Sequence, residues 1–378
     1  MKQMESPPLS LLSLLSLLSL LSVLLAILLH FPLPSTAIPF TCNTSKTPTC
    51  QSLIGYIPTN KTTYSSLKFL FTIKSIRTLF SANNLSPSTR SSTSIPAGST
   101  VRIPISCSCS AGSGYSSGRP IYVVKAGDGL DSIARNIFGG FVTYQEIAKA
   151  NNISDPNLIE AGKRLLIPMP CSCDPVDGDS VVHYAHFVAA GSTVSSIAES
   201  FGVSQNVLLR INGIKDPKDL QAGQVLDVPL RACSSSISNS SLDHNLRIPN
   251  SSYALTAKNC VLCSCSSTTW QLECRPTQGI GNNSCPAAKC GSLFIGNSSV
   301  SACGTSTCSY AGYNAGSIFT SLNNHSTCNG TNGSGPGPGS PEKNGCSSRL
   351  RVGWMIQTPV MLLFVVLVFF GLLCNEIS

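Results

Sequence analysis

The fold is decided by Lys125-Ala-Gly-Asp-Gly-Leu-Asp-Ser-Ile-Ala134, which the chain repeats as Ala189-Ala-Gly-Ser-Thr-Val-Ser-Ser-Ile-Ala198. The similarity continues beyond both copies, where Leu165-Leu-Ile-Pro168 corresponds to Leu226-Asp-Val-Pro229. A weaker third copy comes earlier and ends in Val101-Arg-Ile-Pro104. Three units of about 50 residues predict an array of small modules rather than one large domain.

Each unit is predicted to fold as strand, helix, helix and strand. Ile121 to Val124 is a β-branched and aromatic run that favours the first strand. We expect Asp128 to cap the helix that follows, and Thr143 and Ser204 to cap the second helices of two units. The buried face of the first helix is predicted from i, i+3, i+4, i+7 spacing and comprises Leu130, Ile133, Ala134 and Ile137 in one unit and Val194, Ile197, Ala198 and Phe201 in the next.

The N-terminus has the pattern of an export signal. Leu9 to Leu29 contains only Leu, Ser, Val, Ala and Ile, and the small residues Ser35 and Ala37 follow at the positions that precede a cleavage site. We therefore predict a secretory signal peptide that is removed after Ala37. The alternative is an N-terminal membrane anchor, since the apolar run is long for a signal peptide.

The C-terminus has a second apolar run, Val360 to Cys374, behind a polar spacer and the small residues Asn344-Gly345-Cys346. This order predicts a glycosylphosphatidylinositol (GPI) signal, with the lipid on Asn344 or Gly345. The alternative is a single membrane-spanning helix. However, two arginines precede the run and no basic residue follows it, which contradicts the positive-inside rule.

Eighteen cysteines favour an oxidising compartment, in which disulfides persist. Removal of the GPI signal takes away Cys346 and Cys374 and leaves sixteen cysteines, an even number that can pair completely. Cys260-X-X-Cys263-X-Cys265 superficially resembles a metal site, but we favour disulfides there. A glycosylated surface is predicted by eleven Asn-X-Ser/Thr sequons, at Asn43, Asn60, Asn84, Asn152, Asn239, Asn250, Asn282, Asn297, Asn324, Asn329 and Asn332.

Charge is sparse, at 11% of the residues against about a quarter in a typical soluble protein. The formal net charge of +8 is modest and we expect it to be scattered, so nucleic acid is not expected as a partner. Glycosidases need two placed carboxylates, whereas the predicted mature chain has five Glu and ten Asp, several of them at cap or turn positions. We therefore expect neither catalysis nor a metal or cofactor.

The repeated pattern resembles LysM modules. The resemblance is carried by Gly129-Leu-Asp-Ser-Ile-Ala-Arg-Asn136, by Phe141-Val-Thr-Tyr-Gln-Glu-Ile147 and by the loop Asn151-Asn-Ile-Ser-Asp-Pro156. Three such modules with Cys-X-Cys pairs between them, followed by Cys263-Ser-Cys-Ser-Ser-Thr-Thr269, look like the plant LysM domain-containing GPI-anchored receptor-like proteins. The resemblance covers most of the mature chain.

This resemblance implies an α+β fold in which three tandem βααβ modules are clamped by disulfides and precede a small disulfide-rich region. The expected domains are the signal peptide (1–37), a degenerate first module (38–109), a second module (110–173), a third module (174–233), a Cys-rich region (234–333), a linker with the GPI attachment site (334–345) and a removed propeptide (346–378). Spacing alone leaves fifteen pairings open for six array cysteines. The resemblance implies the pairs Cys42–Cys109, Cys50–Cys173 and Cys107–Cys171, and the pairs after Cys233 stay unassigned.

The resemblance also implies a shallow groove for chitin, a polymer of N-acetylglucosamine, between two loops of the second module. The implied ligand-binding residues are Ala126, Gly127, Asp128, Gly129, Leu130, Asp131 and Ser132 in the first loop and Ile153, Ser154, Asp155, Pro156, Asn157, Leu158, Ile159 and Glu160 in the second. Bare glycine backbone suits close approach of a neutral sugar, and Ile159 is the preferred apolar contact. In the alternative interpretation, Asp128 and Asp155 only cap a helix and a turn, and Ile159 only packs inside the module.

The other modules are expected to contribute less. The third has the same loops with added charge at Lys215 and Lys218, and the first lacks the Gly-Asp pair and is expected to be mainly structural. Ser154 stands where the family commonly has proline, and this change creates the sequon at Asn152.

A chitin receptor without a cytoplasmic segment would need a transmembrane co-receptor, which the resemblance implies is a LysM receptor-like kinase. It would act in plant innate immunity, and a long oligomer could bridge two copies into a dimer. The alternatives are a peptidoglycan receptor, a LysM-targeted glycan hydrolase and a purely structural wall protein.

Overall fold

The computed structural model describes residues 40–43, 49–179, 181–277, 280 and 284–326. The predicted signal peptide and GPI site, including Asn344, and the sequons at Asn282, Asn329 and Asn332 lie outside the described residues. The chain divides into two units, residues 1–299 with 306–324 and residues 300–305 with 325–378. In the second unit, the Ser301 hydroxyl donates a hydrogen bond to the Gly304 carbonyl oxygen over 3.0 Å.

All three modules contain the predicted order of strand, two helices and strand, so the fold class is confirmed. The first comprises β1 (Thr49–Tyr56), β2 (Thr62–Thr63), α1 (Tyr64–Leu70), α2 (Ile76–Ala82), β3 (Ser94–Ile95) and β4 (Val101–Ser110), and β5 (Ser113–Ser116) follows it. The second comprises β6 (Ile121–Val123), α3 (Leu130–Ser132), a π-helical turn (Ile133–Ile137), α4 (Tyr144–Ala150) and β7 (Arg164–Leu166). The third comprises β8 (Val181–Phe187), α5 (Val194–Phe201), α6 (Gln205–Ile211), a 3₁₀ turn (Pro217–Asp219) and β9 (Val225–Cys233).

The C-terminal region is built of short strands. They are β10 (Ile248–Pro249), β11 (Tyr253–Thr256), β12 (Val261–Cys265), β13 (Leu272–Pro276), β14 (Lys289–Cys290), β15 (Leu293–Phe294), β16 (Ser298–Ser301), β17 (Gly304–Tyr313) and β18 (Ile318–Ser326), with a 3₁₀ turn at Ala257–Asn259. This region contacts the first module, since the Tyr253 hydroxyl donates to the Leu85 carbonyl oxygen over 2.6 Å.

The first and third modules share one six-stranded sheet, in the order β10-β9-β8-β1-β4-β5. They meet where β1 runs parallel to β8, with Leu53 opposite Tyr184 and Ile54 opposite Ala185. The second module keeps a separate pair, β6 and β7, but its helices share a hydrophobic core with the first module. The three modules therefore form one folded body rather than three independently folded units.

Three disulfides form one cluster where the modules meet. They are Cys42–Cys109, Cys50–Cys173 and Cys107–Cys171, the pairs that the resemblance implies. The sulfur atoms of Cys42, Cys109 and Cys173 all lie within 4.8 Å of one another. The cluster ties the N-terminus and both Cys-X-Cys segments together, and closing such long loops removes entropy from the unfolded chain.

The C-terminal cysteines form disulfides of their own. The pairs are Cys233–Cys265, Cys260–Cys285, Cys263–Cys274 and Cys290–Cys308, and Cys303 is also disulfide-bonded. All three cysteines of the Cys260-X-X-Cys263-X-Cys265 motif are therefore oxidised and offer no thiolate to a metal ion.

Two details of the second module differ from the prediction. Asp128 does not cap the first helix, because Gly129 takes the N-cap position and no side chain caps it. The helix also widens into a π turn, in which the Phe138 N–H donates to the Ile133 carbonyl oxygen over 3.1 Å. Ile137 is consequently only half-buried and Phe138 is fully buried, although α-helical periodicity selected Ile137.

Side-chain caps begin the second helices as predicted. The Thr143 hydroxyl accepts a hydrogen bond from the Glu146 N–H, and the Glu146 carboxylate accepts one from the Thr143 N–H. The Ser204 hydroxyl accepts from the Val207 N–H. These bonds satisfy N–H groups that have no partner within the helix.

In every module, an asparagine at the equivalent position ends the second helix and joins it to the closing strand. In the third module, Asn212 Nδ2 donates to the carbonyl oxygens of Leu208 and Asp227, and Asn212 Oδ1 accepts from the Asp227 N–H, each over 2.8 Å. Asn151 makes the three equivalent bonds with Ile147 and Leu166. The equivalent bonds of the first module link Asn83 to Leu79 and Arg102.

We predict that Asn212→Ala lowers the free energy of unfolding by about 2–4 kcal/mol, because it leaves backbone groups beside the buried Asn212 side chain without partners. The measurement is a thermal or denaturant melt of the disulfide-intact protein. Asn206→Ala is the matched control, since Asn206 is exposed on the same helix. Equal stability of both variants would contradict a structural role for the clamp.

His183 is a buried cation at the centre of the third module. Its Nδ1 contacts the Asp227 carboxylate over 2.8 Å, and its Nε2 contacts the Asp174 carbonyl oxygen over 2.7 Å. Both partners are acceptors, so both ring nitrogens must carry hydrogen. Burial lowers the pKa of His183, but the Asp227 charge and the hydrogen bonds together raise it by more than burial lowers it. The pKa of His183 therefore lies above the ordinary 6.5.

We predict that stability decreases as pH rises through this raised pKa. The contribution of the charged ring is complete below the unfolded pKa of about 6.5 and is lost as the folded-state ring deprotonates. Thermal midpoints measured from pH of about 6 to about 9 should therefore decrease, and His183→Gln should flatten this dependence. An unchanged pH slope in the variant would contradict the assignment.

Candidate functional site

The two predicted loops of the second module lie side by side because backbone hydrogen bonds join their ends. The Val124 N–H donates to the Lys163 carbonyl oxygen over 2.9 Å, and the Val124 carbonyl oxygen accepts from the Gly162 N–H over 2.8 Å. Val124 directly precedes the first loop, and Gly162 and Lys163 follow the second. The geometry of both loops is thus fixed at the edge of β6 and β7.

In the first loop, the Asp128 side chain is used to hold the turn. Its Oδ2 accepts from the Tyr122 hydroxyl over 2.7 Å and from the Lys125 N–H over 2.8 Å. Burial, the hydrogen bond to Asp128 and the charge of Asp128 all raise the pKa of Tyr122 above its ordinary value of 10.0. This carboxylate therefore stabilises the loop, and the interpretation that gave Asp128 a structural role fits the contacts.

The glycines of the first loop expose backbone. Gly127 has φ +87°, a conformation that favours glycine. A Cβ atom built on Gly127 or Gly129 would meet nothing within 4 Å. Both glycines are exposed, so a ligand can approach the backbone closely there. Two of the neighbouring peptide groups are already used, because the Asp128 N–H donates to the Lys125 carbonyl oxygen and the Gly129 carbonyl oxygen accepts from the Ile133 N–H.

The second loop is held by Asp155. Its Oδ1 accepts from the Asn157 N–H over 2.9 Å, and its carbonyl oxygen accepts from the Leu158 N–H over 3.1 Å. These bonds form an Asx-type turn, which fixes the loop without any ligand. Asp155 therefore has a demonstrable structural role, like Asp128.

The apolar residues of the second loop divide between core and surface. Ile153 and Ile159 are half-buried and pack against the core shared by the first and second modules. Leu158, in contrast, has 74% of its surface exposed. The exposed Leu158 side chain can offer apolar surface to a ligand, whereas Ile159, the residue preferred from sequence, is half-buried.

Charge at this site is limited. Asp131 and Arg135 form an exposed ion pair over 2.8 Å, one helical turn apart. Glu160 and Lys125 are exposed as well. The two loops contain four acidic residues and no Lys or Arg, and two of the carboxylates are held in turns. The site is therefore mildly acidic and suits a ligand without negative charge.

The same loop connection recurs in the third module. There the Gly223 N–H donates to the Val188 carbonyl oxygen over 2.8 Å. Asp216 caps the following 3₁₀ turn, and Lys215 and Lys218 are exposed. In the first module, the Gly98 N–H makes the equivalent bond to the Pro58 carbonyl oxygen over 2.9 Å.

Sequence reasoning missed two contributors to the site. Tyr122 holds Asp128, and Val124 joins the two loops, yet neither is among the expected site residues. The alternation of β6, in which Tyr122 is buried and Val123 is 47% exposed, was the available signal.

A LysM domain family model matches residues 122–168 and 186–229, within the second and third modules. The chain is 48% identical over 298 residues to the chitin elicitor-binding protein of Oryza sativa subsp. japonica, across 78% of this chain and 83% of that protein. It is 43% identical over 286 residues to LysM domain-containing GPI-anchored protein 2 of Arabidopsis thaliana, across 74% and 81% of the two chains. A solved receptor-like kinase ectodomain aligns with a TM-score of 0.41 at 22% identity, over 47% of this chain and 90% of that one.

Proposed function

The chain belongs to the plant LysM domain-containing GPI-anchored proteins, and from this we propose that it is a cell-surface receptor for chitin oligomers. The name of the rice relative states that it binds a chitin elicitor, and that relative is 48% identical to this chain. In this proposal, the receptor senses chitin in innate immunity and does not act as an enzyme.

The observation that carries the proposal is the pair of joined loops in the second module. Chitin is a neutral polymer with acetamide groups, which need backbone donors and acceptors, and with methyl and ring faces, which need apolar surface. The backbone around Gly127 and Gly129 supplies the first requirement, and exposed Leu158 supplies the second. Because hydrogen bonds hold both loops without ligand, little ordering entropy opposes binding.

The family membership supports a proposal for the location and the partner of this chain. GPI anchoring is named in the Arabidopsis relative, and we propose the same anchor here, on Asn344 or Gly345. Among the residues that the structure describes, no helix is long and apolar enough to span a membrane. A receptor held by lipid alone needs a transmembrane partner, for which we propose a LysM receptor-like kinase, with a chitin oligomer able to bridge two receptor copies.

The second candidate ligand is peptidoglycan, because its glycan also contains N-acetylglucosamine. We favour chitin, because the two loops contain four carboxylates and no Lys or Arg, whereas peptidoglycan adds acidic lactyl and peptide groups that such loops would repel.

The proposal predicts saturable binding of chitin oligomers that depends on Leu158. In calorimetry, Leu158→Ser should weaken binding several-fold, because it removes roughly 1–2 kcal/mol of apolar contact. Leu242→Ser is the matched control, since Leu242 is a remote leucine with 67% of its surface exposed. Thermal midpoints should stay unchanged in both variants, whereas Ile159→Gln should weaken binding and also lower stability because Ile159 packs on the core.

Three outcomes would contradict this function. The first is full chitin affinity in a folded Leu158→Ser protein, which would move the site. The second is tighter binding of peptidoglycan fragments than of chitin. The third is release of soluble sugar from chitin by the purified protein, which would indicate a hydrolase.

A glycan on Asn152 is predicted to weaken chitin binding. Asn152 is exposed and directly precedes the second loop, so an attached sugar would crowd the groove. Ser154→Ala removes this sequon and should raise chitin affinity in a glycosylating host, whereas Ser299→Ala removes the remote sequon of Asn297 and should not. If mass spectrometry shows Asn152 occupied and affinity does not change on its loss, the crowding hypothesis is wrong.

A further inference from the structure

The net positive charge of this protein is concentrated in one part of the chain, because acidic residues are absent there. Residues 6–127 contain nine Lys and Arg residues and no Asp or Glu, whereas the formal net charge of the whole chain is +8. The expectation that the charge is scattered is therefore wrong. A surface of one sign attracts ions and polymers of the opposite sign.

The cations of the first module have no acidic partners. The ion pairs in the described part of the chain are Asp131–Arg135, His183–Asp227 and Asp177–Arg210, and none of them involves this module. Among the described residues, the lysines and arginines of this module are thus not neutralised by an ion pair, although Arg102 Nη1 donates to the carbonyl oxygens of Asn250 and Ser251.

Lys74 of the first module and Arg119, which precedes β6, line a cleft of about 290 Å³. It opens between the loop that joins α1 to α2, the middle of β4 and the segment that leads into β6. Its cations are Lys74 and Arg119, and its hydroxyl groups come from Ser75, Thr78, Ser106 and Ser117. No Asp or Glu is among the described residues that line it.

Arg119 is held in position by the neighbouring loop. Its Nη1 donates to the Thr72 carbonyl oxygen over 2.9 Å, and the Thr72 hydroxyl accepts from the Ile121 N–H over 3.0 Å. Thr72 has φ +50°, an unfavourable conformation for a β-branched residue, and these bonds maintain it. The guanidinium is thereby oriented before a ligand arrives, and it has further N–H groups to donate.

We propose that this cleft binds a uronic acid unit of an acidic extracellular polysaccharide. The carboxylate would pair with Arg119 and Lys74, since a guanidinium matches a carboxylate bidentately. The serine and threonine hydroxyls would bind ring hydroxyls, and the half-buried Ile73 and Pro104 would contact the C–H face of the sugar. The volume is close to the lower end of ligand pockets, roughly 300 Å³, which suits a small sugar unit.

A polymeric sugar fits these observations better than a membrane or a free anion. Lys61 and Arg90 of the first module are exposed as well, so further cations are open to a polymer with a carboxylate on each unit. A concave site rich in hydroxyl groups suits a sugar ring, whereas a flat anionic bilayer would not enter it. The site is formed by the first module and the segment that leads into β6, and it shares no residue with the two loops of the proposed chitin site.

The test is binding of oligogalacturonate to the purified full-length protein, measured by calorimetry at low and moderate salt. We expect saturable binding that weakens as salt rises, and a loss of about tenfold or more in the double variant Lys74→Gln/Arg119→Gln. The matched control, Arg275→Gln/Lys289→Gln, removes the same charges from exposed positions of the Cys-rich region and should retain affinity. Chitin binding should persist in both variants, which separates this site from the proposed function.

Several results would overturn the proposal. Absence of oligogalacturonate binding by the wild-type protein would do so directly. Equal losses in both double variants would indicate a general charge effect rather than a site. Undiminished binding of the fully methyl-esterified oligomer would show that the carboxylate is not recognised. Binding of phosphatidylserine vesicles through Lys74 and Arg119 without oligogalacturonate binding would identify a membrane as the occupant.

Discussion

The asparagine at the end of each second helix is the interaction on which the modules depend. Asn83, Asn151 and Asn212 each satisfy one helical carbonyl group and both backbone groups of a residue on the closing strand. In each module, one asparagine side chain thus makes the hydrogen bonds that join the second helix to the closing strand. The residues between Asn151 and Leu166 include the whole second loop of the candidate site, so the clamp sets the distance that this loop spans.

Sequence periodicity predicted the modules well because each is short and its apolar residues repeat. The helix caps at Thr143 and Ser204 were predictable as well, because capping depends on a local side chain. Phe138 was missed because a π turn shifts the helical register, and periodicity assumes an undistorted helix. Asp128 was assigned as a cap because its partner Tyr122 comes from the preceding strand, and a local motif contains no information about that contact.

Relationships between modules were least accessible from the sequence. The parallel pairing of β1 with β8 joins segments about 130 residues apart, and nothing in either strand specifies its partner. Among the loop residues, sequence identified the segments but not which side chains face outward. Leu158 and Ile159 are adjacent and equally apolar, and only the packing of the core determines that Leu158 is exposed.

The few charged residues are distributed unevenly between the first and second modules. Asp128 and Asp155 in the second module are engaged in turns, so the proposed site presents backbone and an exposed leucine together with the carboxylates of Asp131 and Glu160. Acidic residues are absent from the first module, whose lysines and arginines consequently stay unneutralised. Both modules are anchored to the same disulfide cluster and core. A rigid body of this kind holds the two loops of the second module and the cationic cleft in fixed relation, so a ligand that engages both would gain affinity from the second contact without a second cost of orientation.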